Sequence, residues 1–418
     1  VASCGVNRAG VAARWHSDGV HRAAVAVIAA VVAGCTQGSA APAPAPAETH
    51  APRDASVDAN LANVGHLAGQ PLYLTLCAPC HGVERTGYAA DHAPSLISPT
   101  FLETASDSFL RRSIVYGRPG TSMAAYGKSR GGPLDGPTVE RLVTFLREGA
   151  PPSKTLPPVV GGDAAAGAVI YARTCFVCHG DAKTRGEAVS LANPQLLASA
   201  TDPFLRYAIA NGRPGTKMEP FAGKLSDAEL DSVVRYVRTL GNGGAPTIEL
   251  LPEPTGKEPL VLNPAGKTPR FTLRADPCPP AIPGQASTCK PDPRFVSVDQ
   301  VAKAYAAKQR MVIIDARPPS DWRNVHIAGA VSIPYHDLKR LDELPKDVTK
   351  DGTWIVAYCA CPHHLSGIVA DELRKRGYVR AVVLDEGINE WHRRGLPVTA
   401  AVGVTKPLPE ATPGGAIR

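Results

Sequence analysis

The chain repeats itself. Aligned at an offset of 95 residues, Ser98-Pro99-Thr100-Phe101-Leu102 matches Asn193-Pro194-Gln195-Leu196-Leu197, and Ser106-Asp107-Ser108-Phe109-Leu110-Arg111 matches Thr201-Asp202-Pro203-Phe204-Leu205-Arg206. Further on, Gly117-Arg118-Pro119-Gly120-Thr121-Ser122-Met123 matches Gly212-Arg213-Pro214-Gly215-Thr216-Lys217-Met218. An internal repeat of this length means two copies of one structural unit, each burying a small core of its own. At 418 residues, with 40 prolines and 39 glycines, the chain divides into several small domains joined by extended linkers.

Each copy opens with a C-x-x-C-H string, Cys77-Ala78-Pro79-Cys80-His81 and Cys175-Phe176-Val177-Cys178-His179, at an offset of 98. Two thiols three residues apart can each add across a haem vinyl group, and the histidine after the second lies beside the iron. C-x-x-C alone also serves zinc and disulfide chemistry. Two copies, each followed by a methionine at matching distance, point to covalent haem attachment. Each unit resembles a small class I cytochrome c. That resemblance implies two covalently bound haem c groups, with thioethers to Cys77 and Cys80 and to Cys175 and Cys178. It implies His81 with Met123 and His179 with Met218 as axial ligands of the iron. Imidazole and thioether together saturate the iron and raise its potential, so such a centre transfers electrons rather than binding substrate. In the same family a proline near the haem offers its carbonyl to the proximal histidine. Pro94 stands there in the first copy and Val189 in the second, where any backbone carbonyl can accept. His92 is an alternative to Met123 as the sixth ligand.

The closing helices follow from spacing. Ser226-Asp227-Ala228-Glu229 is a capping box, after which Leu230, Val233, Val234, Val237 and Leu240 recur at helical spacing until Gly241. Val139, Leu142, Val143 and Leu146 before Gly149 do the same in the first copy. Both stripes are expected to be core.

The first 35 residues carry Arg8, Arg14 and Arg22, then an apolar run from Ala23 to Ala33, then Val32-Ala33-Gly34-Cys35. A basic start, a short apolar run and a small-residue site make an export signal, too short to span a membrane. The ending resembles a bacterial lipobox, which implies that Cys35 is the lipid anchor on a membrane. The Ala/Pro alternation Ala40 to Ala47 then reads as an extended tether. The rest is expected on the exported, periplasmic side. The formal net charge of +7 would be offset in part by haem carboxylates, and no basic run interleaved with aromatics suggests nucleic acid.

After residue 294 the pattern changes. Met311-Val312-Ile313-Ile314, Trp354-Ile355-Val356-Ala357 and Ala381-Val382-Val383-Leu384 are short apolar runs alternating with helical segments, as in a parallel sheet covered on both faces. Asp315-Ala316-Arg317, His326-Ile327-Ala328-Gly329-Ala330-Val331-Ser332-Ile333-Pro334, Trp391 and Gly395-Leu396-Pro397-Val398 make this segment resemble a rhodanese domain. Glu386-Gly387 stands where two glycines are common in that family. The resemblance implies a persulfide-carrying cysteine at Cys359, at the head of the loop Cys359-Ala360-Cys361-Pro362-His363-His364. A nest of backbone N–H groups at a helix N-terminus would lower its pKa and bind an anionic sulfur donor. Many active members carry arginine at the last loop position; here His364 stands there, and it can grip an anion only when protonated. Cys361 is close enough to attack a persulfide or form a disulfide with Cys359, and Cys359, Cys361, His363 and His364 together offer ligands to copper or zinc. Cys278 and Cys289, in the connector, suit a disulfide in an exported chain.

The expected fold is multidomain: two all-α cytochrome c domains followed by an α/β rhodanese-like domain with a parallel central sheet. The boundaries are 1–34 for the lipoprotein signal peptide, 35–57 for the anchor and tether, and 58–150 for the first haem domain. A linker at 151–160, the second haem domain at 161–241, a Pro-rich connector at 242–293, the α/β domain at 294–402 and a tail at 403–418 complete the chain. Three functions fit: an electron carrier coupled to sulfane-sulfur handling at Cys359, an electron carrier with a non-catalytic docking module, or one with a metal-binding third domain. Each requires a redox partner protein in the exported compartment, and the first adds a sulfur-compound substrate.

Overall fold

The computed structural model describes residues 67–88, 92–241, 248–275, 292–344, 348, 352–360 and 363–409. All of these fall within one compact unit.

The first helical unit runs through α1 (Gly69–Leu76), α2 (Ala78–His81), α3 (Pro99–Leu102), α4 (Asp107–Tyr116) and α5 (Gly136–Arg147). The second repeats it as α6 (Ala164–Thr174), α7 (Phe176–His179), α8 (Pro194–Ser199), α9 (Asp202–Asn211) and α10 (Asp227–Leu240). The repeat extends to the caps. Ser106 and Thr201 each accept a bond from the phenylalanine N–H three residues on, and Gly117 and Gly212 close the same helices with positive φ. At the α10 start, the Ser226 hydroxyl and Glu229 carboxylate form the reciprocal capping box. Val139, Leu142, Val143 and Leu146 are buried, as are Leu230, Val233, Val234 and Val237.

In each unit the helix before the cysteine string crosses the closing helix, α1 on α5 and α6 on α10. The backbones approach so closely that a Cβ on Gly69 would lie 2.6 Å from the Arg141 carbonyl oxygen, and Gly167 meets Ser232 in the same way. Small residues at such crossings let the strings sit directly over the core.

The third domain holds β1 (Arg274–Ala275), β2 (Pro293–Val296), α11 (Val298–Ala306), β3 (Met311–Asp315), α12 (Pro319–Asn324), β4 (Val325–Ile327) and β5 (Val331–Ser332). It continues with β6 (Trp354–Tyr358), α13 (His364–Lys375), β7 (Ala381–Leu384), α14 (Gly387–Arg393) and β8 (Val398–Ala400). The six-stranded sheet has the order β1-β2-β7-β6-β3-β5, parallel except for β1. Strands β3, β6 and β7 are buried along nearly their whole length, which is why they read as unbroken apolar runs. β4 and β8 form a separate antiparallel pair.

The connector is part of this domain. Its β1 adds an antiparallel edge strand, Leu262 pairs with Met311, and the Leu251 N–H donates to the Arg323 carbonyl. The tail also packs back, with the Arg185 N–H bonded to the Pro409 carbonyl. The first helical unit meets the third domain through Tyr126 and Tyr335, whose hydroxyls lie 3.1 Å apart and both donate to the Leu76 carbonyl at 3.0 Å. The Ser320 hydroxyl adds a bond to the Ala125 carbonyl at 2.5 Å, and α13 packs against α2.

Candidate functional site

The two strings fold alike. α1 and α6 end at Cys77 and Cys175, whose N–H groups donate to Tyr73 and Tyr171 carbonyls, and one short helical turn carries the second cysteine and the histidine. Tyr73 and Tyr171 donate their hydroxyls to the carbonyls of Gly82 and Gly180, at 2.6 and 2.7 Å, and so close each turn. These tyrosines were legible in the sequence, because they share the 98-residue offset of the strings, but neither belongs to the C-x-x-C-H pattern.

The His81 Nδ1 lies 2.9 Å from the Pro94 carbonyl, and the His179 Nδ1 lies 2.7 Å from the Val189 carbonyl. A carbonyl only accepts, so Nδ1 carries the proton and Nε2 keeps its lone pair. Burial pushes both imidazoles below their ordinary pKa, against the pull of these bonds, which keeps them neutral. A neutral imidazole fixed by a carbonyl on the far nitrogen is what an iron ligand requires. Cys77, Cys80, Cys175 and Cys178 are each partly buried and none is in a disulfide, so all four would be available for thioether bonds.

The methionine loops are superposable in their bonds. The Arg118 N–H donates to the Met123 carbonyl and the Arg213 N–H to the Met218 carbonyl, both at 2.8 Å. Thr121 and Thr216 bond back to the arginine carbonyls and accept from the methionine N–H groups at 3.1 Å. Gly120 and Gly215 turn each loop at φ +82. Met123 and Met218 are partly buried, whereas His92 is exposed. Neutral imidazole, thioether and paired thiols are together the donor set of a covalently held haem, which would supply one-electron chemistry at a closed iron.

In the third domain Cys359 directly follows β6 and is 1% exposed, with Sγ 3.3 Å from the Ser366 hydroxyl on α13. Its carbonyl accepts from the Ile388 N–H at 3.0 Å, and Asn389 holds the Ala360 carbonyl. His363 adopts φ +70 just before α13, directs Nε2 to Asp385 at 2.6 Å, and lays its ring on Phe295. Arg274 of β1 grips the same Asp385 with two bonds. His364 opens α13. Cys361 lies outside the described residues, as do Cys35, Cys278 and Cys289, and so does part of the loop whose N–H groups would form the anion nest. Among the described residues no three His, Cys, Asp or Glu side chains cluster as a metal site. The Ser366 and Asp385 partners could not be read from the loop motif, since only the fold brings them to it.

The rhodanese-like domain family matches residues 297–394, and the family described as cytochrome C oxidase, cbb3-type, subunit III matches residues 162–237, within the second helical unit. Cytochrome c6 of Synechococcus sp. (strain ATCC 27167 / PCC 6312) is 31% identical over 87 residues, 19% of this chain and 72% of that protein. The chain belongs to the c-type cytochromes and carries a rhodanese-like α/β domain after the haem-binding part. The cytochrome part is also similar to the cbb3-type cytochrome c oxidase subunit FixP of Bradyrhizobium sp. (strain ORS 278), 30% identical over 200 residues, 46% of this chain and 66% of FixP. The chain thus spans just under two thirds of that relative. A sulfurtransferase of Allochromatium vinosum is 29% identical over 109 residues, 26% of this chain and 96% of its own length. Membership in the cytochromes c implies covalently bound haem c. Among the described residues no helix is long and apolar enough to cross a membrane.

Proposed function

We propose that this is an exported dihaem cytochrome c that transfers electrons and handles sulfane sulfur through Cys359. The observation that carries the reading is the duplicated haem constellation. His81 and His179 are each oriented by a backbone carbonyl, and Met123 and Met218 each stand on a loop closed by the same four bonds. Haem would be held by Cys77, Cys80, His81 and Met123 in one unit and by Cys175, Cys178, His179 and Met218 in the other. Cys35 anchors the chain to a membrane by lipid, and Cys278 pairs with Cys289.

At the third domain, the Cys359 thiolate attacks the outer sulfur of thiosulfate. The S–S bond of the donor breaks, the cysteine gains a persulfide, and sulfite leaves; charge and atoms balance with no added oxidant. The Ser366 hydroxyl lies 3.3 Å from the sulfur, and the N–H groups at the start of α13 would favour an anion bound beside it. His364 stands at the loop position where an arginine would hold the anion, and it can do so only as the imidazolium.

The test is to add sulfide to the oxidised holoprotein and follow haem reduction by absorbance, because sulfide becomes the outer sulfur of a Cys359 persulfide only by giving up a proton and two electrons, one to each ferric haem. Reduction in the wild type and its loss in Cys359→Ser are expected; equal reduction in both would sink the coupling. A second reading, in which the third domain only docks a redox partner, draws on the burial of Cys359. A thiosulfate:cyanide sulfurtransferase assay separates the two, since robust turnover excludes a purely docking domain.

A further inference from the structure

The two helical units share an interface built from matching parts. Phe109 and Phe204, equivalent in the repeat, pack with ring centroids 4.9 Å apart, and Phe101 meets both edge-on. Arg118 lies over Phe109 and Arg213 over Phe204, so that both methionine loops converge on this seam. The contacts are reciprocal. Thr100, in the short helix α3 of the first unit, donates its hydroxyl to the Gly212 carbonyl at 2.9 Å, and Arg213 returns bonds to the Thr100 carbonyl and hydroxyl at 3.2 Å. Asn193, capping α8 in the second unit, donates Nδ2 to the Pro119 carbonyl at 3.0 Å.

The Gly212 carbonyl and the Arg213 N–H belong to one planar peptide group. Its oxygen accepts from Thr100 of the first unit, and its N–H donates to the Met218 carbonyl of the second at 2.8 Å. A single rigid plane therefore connects a first-unit side chain to the backbone of the second-unit methionine. In the first unit the corresponding grip, on Pro119, sits at the loop tip two residues before Thr121, which in turn receives the Met123 N–H. That path is longer.

We propose that Thr100 is a positioning residue for Met218, and Asn193 for Met123: each haem unit sets the distal-ligand loop of the other. The proposal rests on the reading of Met123 and Met218 as iron ligands. Loosening a thioether ligand lowers the potential of its iron, because the Met/His pair is what raises it.

The experiment is a spectroelectrochemical titration of the full holoprotein with two haem waves. Met218→Ala identifies the second-unit wave as the one it shifts. Thr100→Val is expected to move that same wave to lower potential and weaken its thioether-to-iron charge-transfer band, leaving the other wave in place. Thr100→Ser, which restores the hydroxyl, is expected to restore both signals. Asn193→Ser, which keeps an acceptor for the α8 cap but cannot reach Pro119, is expected to move the first-unit wave by a smaller amount. Waves unmoved in Thr100→Val and Asn193→Ser, or moved only in the mutated unit, would overturn the crossed arrangement while leaving the ligand reading intact. Waves unmoved by Met218→Ala would overturn both.

Discussion

Gly387→Ala is the change most directly aimed at the geometry around Cys359. Gly387 has φ +66, and a Cβ built there would lie 2.5 Å from the Cys359 carbonyl oxygen. An L-residue in the left-handed region costs roughly 1–2 kcal/mol. The close contact is with backbone, so the carbonyl must move and its bond from the Ile388 N–H, now 3.0 Å, is strained or lost, a further ~1 kcal/mol. The smaller entropy of alanine in the unfolded chain returns about 0.4–1 kcal/mol. The net is a loss of about 2 kcal/mol, which at a urea m-value of ~1–3 kcal/mol/M lowers the midpoint by roughly 1 M. Equilibrium unfolding followed by tryptophan fluorescence reads this domain, because Trp322, Trp354 and Trp391 all lie in it. The neighbouring Glu386 has φ −89 and accepts the Val298 N–H at 2.8 Å, so Glu386→Gly loses one bond without relieving any contact. An unchanged or raised midpoint in Gly387→Ala would refute the claim that this glycine is fixed by the Cys359 backbone.

Two other perturbations test the packing around it. Tyr126→Phe and Tyr335→Phe should each cost about 1 kcal/mol, whereas the double variant should cost more than their sum, because it orphans the Leu76 carbonyl that both hydroxyls serve; additive losses in a double-mutant cycle would show that the carbonyl is not shared. Burial, opposed by Arg317 and aided by Asp315, pushes the Asp321 carboxyl from 3.8 up to about 6. The folded state then keeps a proton that the unfolded state has lost between those values, so stability falls as pH rises through that window. Asp321→Asn should flatten this fall, as measured by urea midpoints across the same range; an unaltered slope would assign it to another group.

Where the sequence was informative, the information was local. The cysteine strings, the capping box at Ser226 and Glu229, and the buried runs of β3, β6 and β7 depend on residues a few positions apart, and each stands where the spacing placed it. The helix that follows the loop motif, α13, opens on the motif's last residue, His364. What stayed hidden depends on contacts between distant parts of the chain. Prolines and glycines made residues 242–293 look like a free connector, yet Arg274 and Ala275 pair with β2 because the sheet offers an open edge there. Tyr126 and Tyr335 meet across 209 residues, and His363 finds Asp385 only once β7 lies beside β6. In the loop motif His363 was a spare ligand; in the fold its Nε2 is already engaged.

The central claim is that one chain carries two haem units of the same construction. Intact mass spectrometry of the denatured protein, made in cells that mature c-type cytochromes, tests it directly. Two covalent haem additions are expected in the wild type, and one in a chain with Cys77→Ala and Cys80→Ala, the remaining haem lying on the peptide that contains Cys175 and Cys178. A single addition in the wild type would contradict the account.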